Sequence, residues 1–178
     1  DPELKKFNDT GSPEEKEILD LLHEPMSRDE IIRKLARPTP EVNALISIME
    51  IKDLYQTADW KKEKHVPVIE LPVSVKKGDA VQVAVTVGKE IAHPNTTPHH
   101  IRWIEVYFQP EGSKFPFQVA RCDFTAHGES PDGPDTSTVY AAPSVLCTFK
   151  TEKPGTIMAS SYCNIHGLWG SSKALALA

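Results

Sequence analysis

The spacing of apolar residues changes near residue 60 of this 178-residue chain, and the change limits the folds that the chain can adopt. Beyond it, apolar and polar residues alternate with a period of two, which is typical of β-strands with one buried face. Turn-forming Gly, Pro, Asp and Ser residues separate the alternating stretches. The predicted strands are Val66–Val73, Ala80–Val87, His100–Gln109, Phe115–His127, Val145–Thr151 and Thr156–Cys163. Six or seven strands with no helix between them predict an antiparallel β-sandwich of immunoglobulin-like type.

The N-terminal part of the chain has the helical period instead. Two capping boxes, Ser12–Glu15 and Ser27–Glu30, each precede apolar residues at helical spacing. Thr39 and Pro40 begin a third such stretch. Three short helices with tight connections predict a small domain of winged-helix or helix-turn-helix type. We therefore expect an α+β protein with two domains, which are residues 1–57 and residues 58–178.

Charge is distributed unevenly between the two predicted domains. Residues 1–60 carry 14 acidic and 8 basic residues, whereas residues 61–178 carry 11 acidic and 12 basic residues. A helix that binds DNA needs basic and amide side chains, and a negative domain repels the phosphate backbone. The third predicted helix sets three acidic residues against Lys52, so DNA is disfavoured as a partner. Dimerisation or docking of a protein partner is favoured, and we expect a homo-oligomer, with a dimer favoured over a tetramer.

The three cysteines of the chain, Cys122, Cys147 and Cys163, form no CxxC pair. This spacing is evidence against a disulfide framework and against a four-cysteine metal site. A cytoplasmic location, where thiols stay reduced, is therefore expected. No stretch of about 18 apolar residues occurs, so no membrane span is predicted.

Four histidines and one cysteine in three separated loops form a candidate metal site. They are His65, His93, His99, Cys163 and His166. Two of the histidines flank a loop of Pro, Asn and Thr residues, which is poorly suited to burying a histidine for packing. The cysteine and the last histidine lie three residues apart at a strand end, where Gly167 allows a tight turn. Because loops at one end of a β-sandwich lie close together, these five residues are predicted to converge.

One thiolate with four imidazoles favours a redox-active transition metal over zinc. Structural zinc sites usually contain two or more cysteines in paired spacings. Nitrogen ligands with a single thiolate are typical of iron and copper centres that transfer electrons. The residues alone leave open an iron oxidoreductase, a blue-copper electron carrier, and a redox-sensing regulator that binds DNA through its helices. The copper alternative lacks a Met soon after His166 and leaves two histidines surplus.

Three motifs around these residues resemble the catalytic iron domain of superoxide reductases, the desulfoferrodoxin and neelaredoxin family. Order, spacing and flanking residues all agree over about residues 60–170. The matching strings are Glu63-Lys64-His65-Val66-Pro67, His93-Pro94 through His99-His100-Ile101, and Tyr162-Cys163-Asn164-Ile165-His166-Gly167-Leu168-Trp169.

The resemblance implies one mononuclear iron and a role for seven residues of the motifs. Superoxide would take one electron from ferrous iron and two protons, and leave as hydrogen peroxide. Lys64 would attract the anion, and Glu63 would close the sixth position of the ferric form. The two-iron members of the family carry an N-terminal four-cysteine module that this chain lacks, so the electron is expected from an external donor such as rubredoxin. The implied equatorial ligands are His65, His93, His99 and His166, and the implied axial ligand is Cys163.

Overall fold

The computed structural model describes residues 13–21, 28–35, 37–39, 42 and 56–178. Within the N-terminal part, helix α1 spans Pro13–Leu21 and helix α2 spans Arg28–Leu35. Each begins directly after the serine of a predicted capping box, so the first two predicted helices are confirmed. The buried side chains here are Ile18, Ile31, Leu35 and Val42. The third predicted helix lies outside the described residues, apart from positions at its start.

Seven strands form the C-terminal part of the chain, and they are arranged in two antiparallel sheets. Strands β1, β2 and β5 form one sheet in the order β1-β2-β5, and the other sheet has the order β4-β3-β6-β7. This arrangement confirms the predicted β-sandwich. The strands are β1 (Pro67–Glu70), β2 (Ala80–Val87), β3 (Ile101–Pro110), β4 (Phe117–Asp123), β5 (Ser144–Lys150), β6 (Gly155–Cys163) and β7 (Gly167–Leu175).

The core lies between the two sheets and follows from the alternation in the sequence. Every second residue of β2 is a valine with an exposure of 2% or less, and these valines pack against the inward residues of β3 and β6. Burying one such side chain stabilises the fold by about 1.5–3 kcal/mol. The facing residues include Ile104, Val106, Phe108, Ile157 and Ala159.

The strand registers bring three loops to one end of the sandwich. The first residue of β3, Ile101, pairs with Cys163 at the end of β6. The loop before β1 is attached to the same end, because Ser161 Oγ donates a hydrogen bond to the carbonyl of His65 at 3.2 Å. The predicted convergence of the three loops is therefore set by strand pairing together with this side-chain hydrogen bond.

Two parts of the predicted strand pattern are wrong. The fourth strand ends at Asp123, and the chain from residue 124 to 141 forms a long irregular loop that packs over the 93–99 loop. The pattern also gave no sign of β7, which contains two glycines and two serines. Strand β7 forms because it pairs with β6 along its whole length, from Gly155↔Leu175 to Cys163↔Gly167. Pairing with a neighbour thus overrides its weak intrinsic β-propensity.

Neither helix in the described part of the chain has the length and apolar character that crossing a bilayer requires.

Candidate metal centre

Four imidazole rings form a closed circuit at the loop end of the sandwich. Going round the circuit, the ring centroids are 4.8 Å apart for His65–His93, 4.7 Å for His93–His99, 4.9 Å for His99–His166 and 4.5 Å for His166–His65. Across the circuit, His65 and His99 are 6.2 Å apart. The four centroids thus form a quadrilateral with nearly equal sides, and the four rings surround a common centre.

Hydrogen bonds determine which nitrogen of two rings faces that centre. His65 Nδ1 lies 2.6 Å from Glu63 Oε1, and His93 Nδ1 lies 2.7 Å from the carbonyl oxygen of Pro94. Both partners can only accept hydrogen bonds, so Nδ1 carries the proton in each ring. Nε2 is then left with a free lone pair, which is the form that ligates metals.

Two of the rings have a buried nitrogen without a hydrogen-bond partner. Among the residues that the structure describes, the buried Nε2 atoms of His93 and His99 have no hydrogen-bond partner. An unsatisfied buried nitrogen costs about 1–3 kcal/mol. A cation at the centre of the circuit would satisfy both.

The distances between donor atoms fit a single transition-metal ion. One donor atom each from His65, His99, Cys163 and His166 lies within 4.8 Å of the others. His65 Nε2 and His166 Nδ1 are 3.0 Å apart, and Cys163 Sγ lies 3.5 Å from the same Nδ1. Two nitrogens bound at right angles to one ion at about 2.1 Å would be separated by about 3.0 Å. His93 lies outside this group of four and joins the site through its ring contacts.

The candidate thiolate is fully buried at the end of β6. Cys163 has an exposure of 0%, and its Sγ accepts a hydrogen bond from the backbone N–H of His166 at 3.4 Å. The hairpin that carries both residues closes at Gly167, whose φ of 75° is readily adopted only by glycine. The predicted turn at Gly167 is confirmed.

Asn164 joins two of the ligand loops, a role that sequence reasoning missed. Its Oδ1 accepts from the His100 N–H at 2.8 Å, and its Nδ2 donates to the carbonyl of Pro98 at 2.8 Å. Its own N–H donates to the carbonyl of His100 at 3.1 Å and is not available to sulfur. An amide side chain directly after the cysteine was the only signal in the sequence.

Burial keeps His65, His93 and His99 neutral. It is the main reason why the pKa values of His65, His93 and His99 lie below the usual value, and the positive charge of Lys64 adds to the effect on all three. The pKa of His93 is lowered to about 4. At neutral pH these three rings are therefore unprotonated and able to ligate a metal.

Glu63 lies beside His65 and orients it. Partial burial acts to raise the pKa of Glu63, but the hydrogen bonds from the ring and the backbone N–H of His65 hold that pKa below its usual value. A charged carboxylate at this place fixes the tautomer of His65. In this conformation the carboxylate is bound to the ring edge of His65.

Trp169 covers the other side of His65 and links the site to the start of the sandwich domain. The two rings stack at 5.0 Å with an angle of 18°, and Trp169 Nε1 donates to the carbonyl of His166 at 3.2 Å. Next to it, the N–H of Gln56 donates to the carbonyl of Leu168 at 3.0 Å, and the N–H of Gly170 donates to the carbonyl of Gln56 at 2.9 Å. The chain thus enters this domain at the edge of β7, close to a candidate ligand.

Two further histidines are buried nearby but lie outside the circuit. His100 and His127 stack at 3.5 Å with an angle of 9°. Their Nδ1 atoms are engaged by the carbonyl of Thr96 at 3.0 Å and by Asn95 Oδ1 at 2.9 Å. Since these partners hold the rings away from the centre, the pair has a structural place beside the 93–99 loop.

The metal-free protein is expected to lose stability as the pH falls from about 6.5 to about 4. An unfolded histidine has a pKa of about 6.5, whereas that of His93 in the fold is lowered to about 4, mainly by burial. Between these values the unfolded chain binds a proton that the folded chain does not bind, so acidification favours unfolding. Above about pH 6.5 neither state is protonated and the full stability is present. Urea unfolding of the metal-free protein at several pH values measures this, and a midpoint that stays constant or rises on acidification would contradict it.

Comparison with known proteins yields two family matches that divide the chain. The family model of desulfoferrodoxin matches residues 57–172, and the model of the DprA winged helix domain matches residues 5–57. The first match covers more than half of the chain and includes all five candidate ligands.

Similar proteins are matched over almost their entire length. The superoxide reductase of Pyrococcus furiosus is 56% identical over 125 residues, which are 70% of this chain and 98% of the relative. The neelaredoxin of Megalodesulfovibrio gigas is 56% identical over 129 residues, which are 72% of this chain and 99% of the relative. The solved structure of superoxide reductase (neelaredoxin) from Archaeoglobus fulgidus in the reduced form has a TM-score of 0.66 and 62% identity, and the match covers 70% of this chain and 99% of that one.

Proposed function

The chain belongs to the desulfoferrodoxin family, and we propose that it is a superoxide reductase with one non-haem iron per chain. The observation that carries this proposal is the circuit of four imidazoles beside a buried cysteine, with two Nε2 atoms left without partners. A blue-copper site needs two histidines and one cysteine with a weak axial ligand. It would leave two imidazoles of the circuit without a role.

The proposed ligands come from all three loops. Nε2 of His65 and of His93 are supported by their hydrogen-bonded Nδ1 atoms, and Nδ1 of His166 by its distances to its neighbours. When bound, the iron supplies the single electron that reduces superoxide, which takes up two protons and leaves as hydrogen peroxide. The complete set is His65, His93, His99 and His166 with the Sγ of Cys163.

The surrounding residues prepare the site for this reaction. The His166 N–H, which donates to Sγ, stabilises negative charge on the sulfur. Glu63 and Trp169 hold the ring of His65 between them, through a hydrogen bond at its edge and a stacked indole on its face. Glu63 would be a further ligand of the ferric iron in this proposal, and in this structure its Oε1 is engaged with His65.

Replacing Lys64 with alanine is expected to slow the bimolecular reaction with superoxide about tenfold at low salt and to flatten its ionic-strength dependence. Lys64 adjoins a proposed ligand, and its charge is felt by three rings of the circuit. It would therefore attract the anionic substrate to the site. Pulse radiolysis at several salt concentrations measures both quantities.

Lys62 provides the matched control for this variant. It lies two residues earlier in the same loop, and its side chain is 84% exposed. Lys62→Ala removes the same charge farther from the circuit and should leave the salt dependence nearly unchanged. Equal salt profiles for the wild type and Lys64→Ala would remove the steering role from Lys64.

An external protein supplies the electron in this proposal, and a rubredoxin-type carrier is the donor that we favour. The three cysteines of the chain cannot form a four-cysteine iron module, and Cys163 is assigned to the catalytic iron. We place the reaction in the cytoplasm, where such carriers and reduced thiols occur.

We also propose that residues 1–57 form a three-helix, winged-helix-like domain and residues 58–178 the iron domain. Two described helices and the two adjoining family matches support this division. The acidic charge of the first domain favours dimerisation or protein docking over DNA binding. Size-exclusion chromatography with light scattering tests the expected dimer, and titration of DNA at low salt tests the alternative.

Metal content, visible spectra and product stoichiometry together test the proposed function. The oxidised protein should contain one iron per chain and show a thiolate-to-iron absorption band that reduction removes. Supplied with a reductant, it should form one hydrogen peroxide for each superoxide consumed. A dismutase forms one peroxide for every two superoxide ions and releases dioxygen. Copper in place of iron, or evolution of dioxygen, would overturn the proposal.

A further inference from the structure

The long loop from residue 124 to 141 has no role in the proposed function as described so far. We call it the strap, because it crosses the 93–99 loop that carries two of the proposed ligands. The two are joined by side-chain hydrogen bonds at two separate points. Since the strap contains none of the proposed ligands, its contacts with that loop need another explanation.

The first point of attachment is the carboxylate of Asp135. Its Oδ1 accepts two hydrogen bonds from one residue, from the N–H of Thr97 at 2.6 Å and from Thr97 Oγ1 at 2.9 Å. Thr97 lies four residues after His93 and two residues before His99 in the sequence. A carboxylate that accepts from a backbone N–H makes a stronger bond than a neutral acceptor does.

The strap holds Asp135 in an unfavourable backbone conformation. Its φ of 59° is the only positive value at a residue other than glycine in the described part of the chain. Such a conformation is costly for most residues and is tolerated best by Gly, Asn and Asp. Gly128 lies directly against it, so that an added Cβ would be 3.2 Å from Asp135 Cα. Gly128 and Asp135, which both have a positive φ, are thus in contact, and Asp135 directs its carboxylate at the 93–99 loop.

The second point of attachment is His127, which is 5% exposed. Its ring engages Asn95 Oδ1 at 2.9 Å and the carbonyl of Phe124 at 2.8 Å, and Asn95 Nδ2 donates to the carbonyl of Ala141 at 2.5 Å. Asn95 is therefore held from both ends of the strap. The stacking of His127 on His100 adds a third contact just beyond the ligand loop.

We propose that Asp135 is a positioning residue, which holds Thr97 and thereby keeps His93 and His99 in the arrangement that binds iron. The Nε2 atoms of these two histidines have no partner within the described protein, so the position of the loop that carries them sets where they point. Residues that orient metal ligands typically change metal affinity by about 10–100-fold. This inference rests on the proposed iron site.

Asp135→Gly separates a positioning role from a merely structural one. Glycine accepts a positive φ without strain, so the strap keeps its backbone, but Thr97 loses its acceptor. We expect iron release from the ferrous protein to an excess of ferrozine to be about tenfold faster than in the wild type. The EPR spectrum of the ferric form should also change, because the rings of His93 and His99 are less strictly held. The thermal midpoint of the metal-free protein should stay close to that of the wild type.

Three further variants serve as rescue, as control and as a test of coupling. Asp135→Asn retains both Oδ1 and tolerance of the positive φ, so it should restore the slow release and the wild-type EPR spectrum. Asp132→Gly removes an exposed carboxylate from the same loop and should behave as the wild type. Thr97→Val removes one of the two hydrogen bonds, and combining it with Asp135→Gly should accelerate release no further than Asp135→Gly alone.

The outcomes distinguish this inference from the proposed function. A wild-type protein that binds no iron overturns both. If the wild type binds iron but Asp135→Gly releases it at the same rate, only the inference fails. Faster release in Asp135→Gly that Asp135→Asn does not restore would also overturn it, because an Oδ1 acceptor for Thr97 would then not be what keeps release slow.

Discussion

Replacing Cys163 with serine is expected to lower superoxide reduction at least about 100-fold and to abolish the thiolate-to-iron absorption band. Sγ is fully buried, accepts the N–H of His166 and lies 3.5 Å from a proposed nitrogen ligand. A serine hydroxyl has nearly the same size and can accept that N–H, so the chain should still fold. It is not anionic at neutral pH, however, and donates little electron density to iron. Pulse radiolysis and the visible spectrum of the oxidised protein measure the two losses.

Cys122→Ser is the matched control for this variant. Cys122 is a half-buried thiol of β4 that packs against the core. The same chemical change there should leave iron content, spectrum and rate close to those of the wild type. If Cys163→Ser retained the absorption band and the activity, Cys163 would not be a ligand of the iron.

Replacing His93 with glutamine is expected to reduce iron affinity at least about 100-fold. His93 is the candidate ligand that lies outside the closest group of donor atoms, so its role depends on its unpartnered Nε2 and its place in the circuit. Glutamine fills similar volume and can still donate to the Pro94 carbonyl, but it is a poor iron ligand. Competition with a calibrated chelator measures the affinity.

His93→Gln should also weaken the loss of metal-free stability between about pH 6.5 and pH 4, since it removes the histidine whose pKa is lowered to about 4.

His100→Gln is the appropriate comparison, because His100 is equally buried and lies next to a proposed ligand. Its ring stacks on His127 outside the circuit, so this variant should still bind one iron per chain. If His93→Gln bound iron as tightly as the wild type, the circuit would supply only three imidazoles to the metal.

The periodicity of the sequence was sufficient for the sandwich but not for all of its parts. Alternating valines predicted β2 with its observed bounds, because a strand with one buried face must alternate. The same rule missed β7, whose Gly and Ser residues are recruited by pairing with β6, and it extended the fourth strand into the strap. Capping boxes found the starts of α1 and α2, since these signals are local.

The amino-acid sequence by itself determined which donor atoms this protein can offer to a metal and in which loops they lie. Only the tertiary structure decided that Nδ1 of His65 and of His93 is engaged by an acceptor while Nε2 of His93 has no partner among the described residues, and that Asp135 reaches Thr97 across 38 residues. The physical reason is that residue type and spacing are local properties, whereas the tautomer and direction of a ligand depend on hydrogen bonds to partners that folding brings together. The strap has no periodic signal, and its role emerges only from where the two sheets place it.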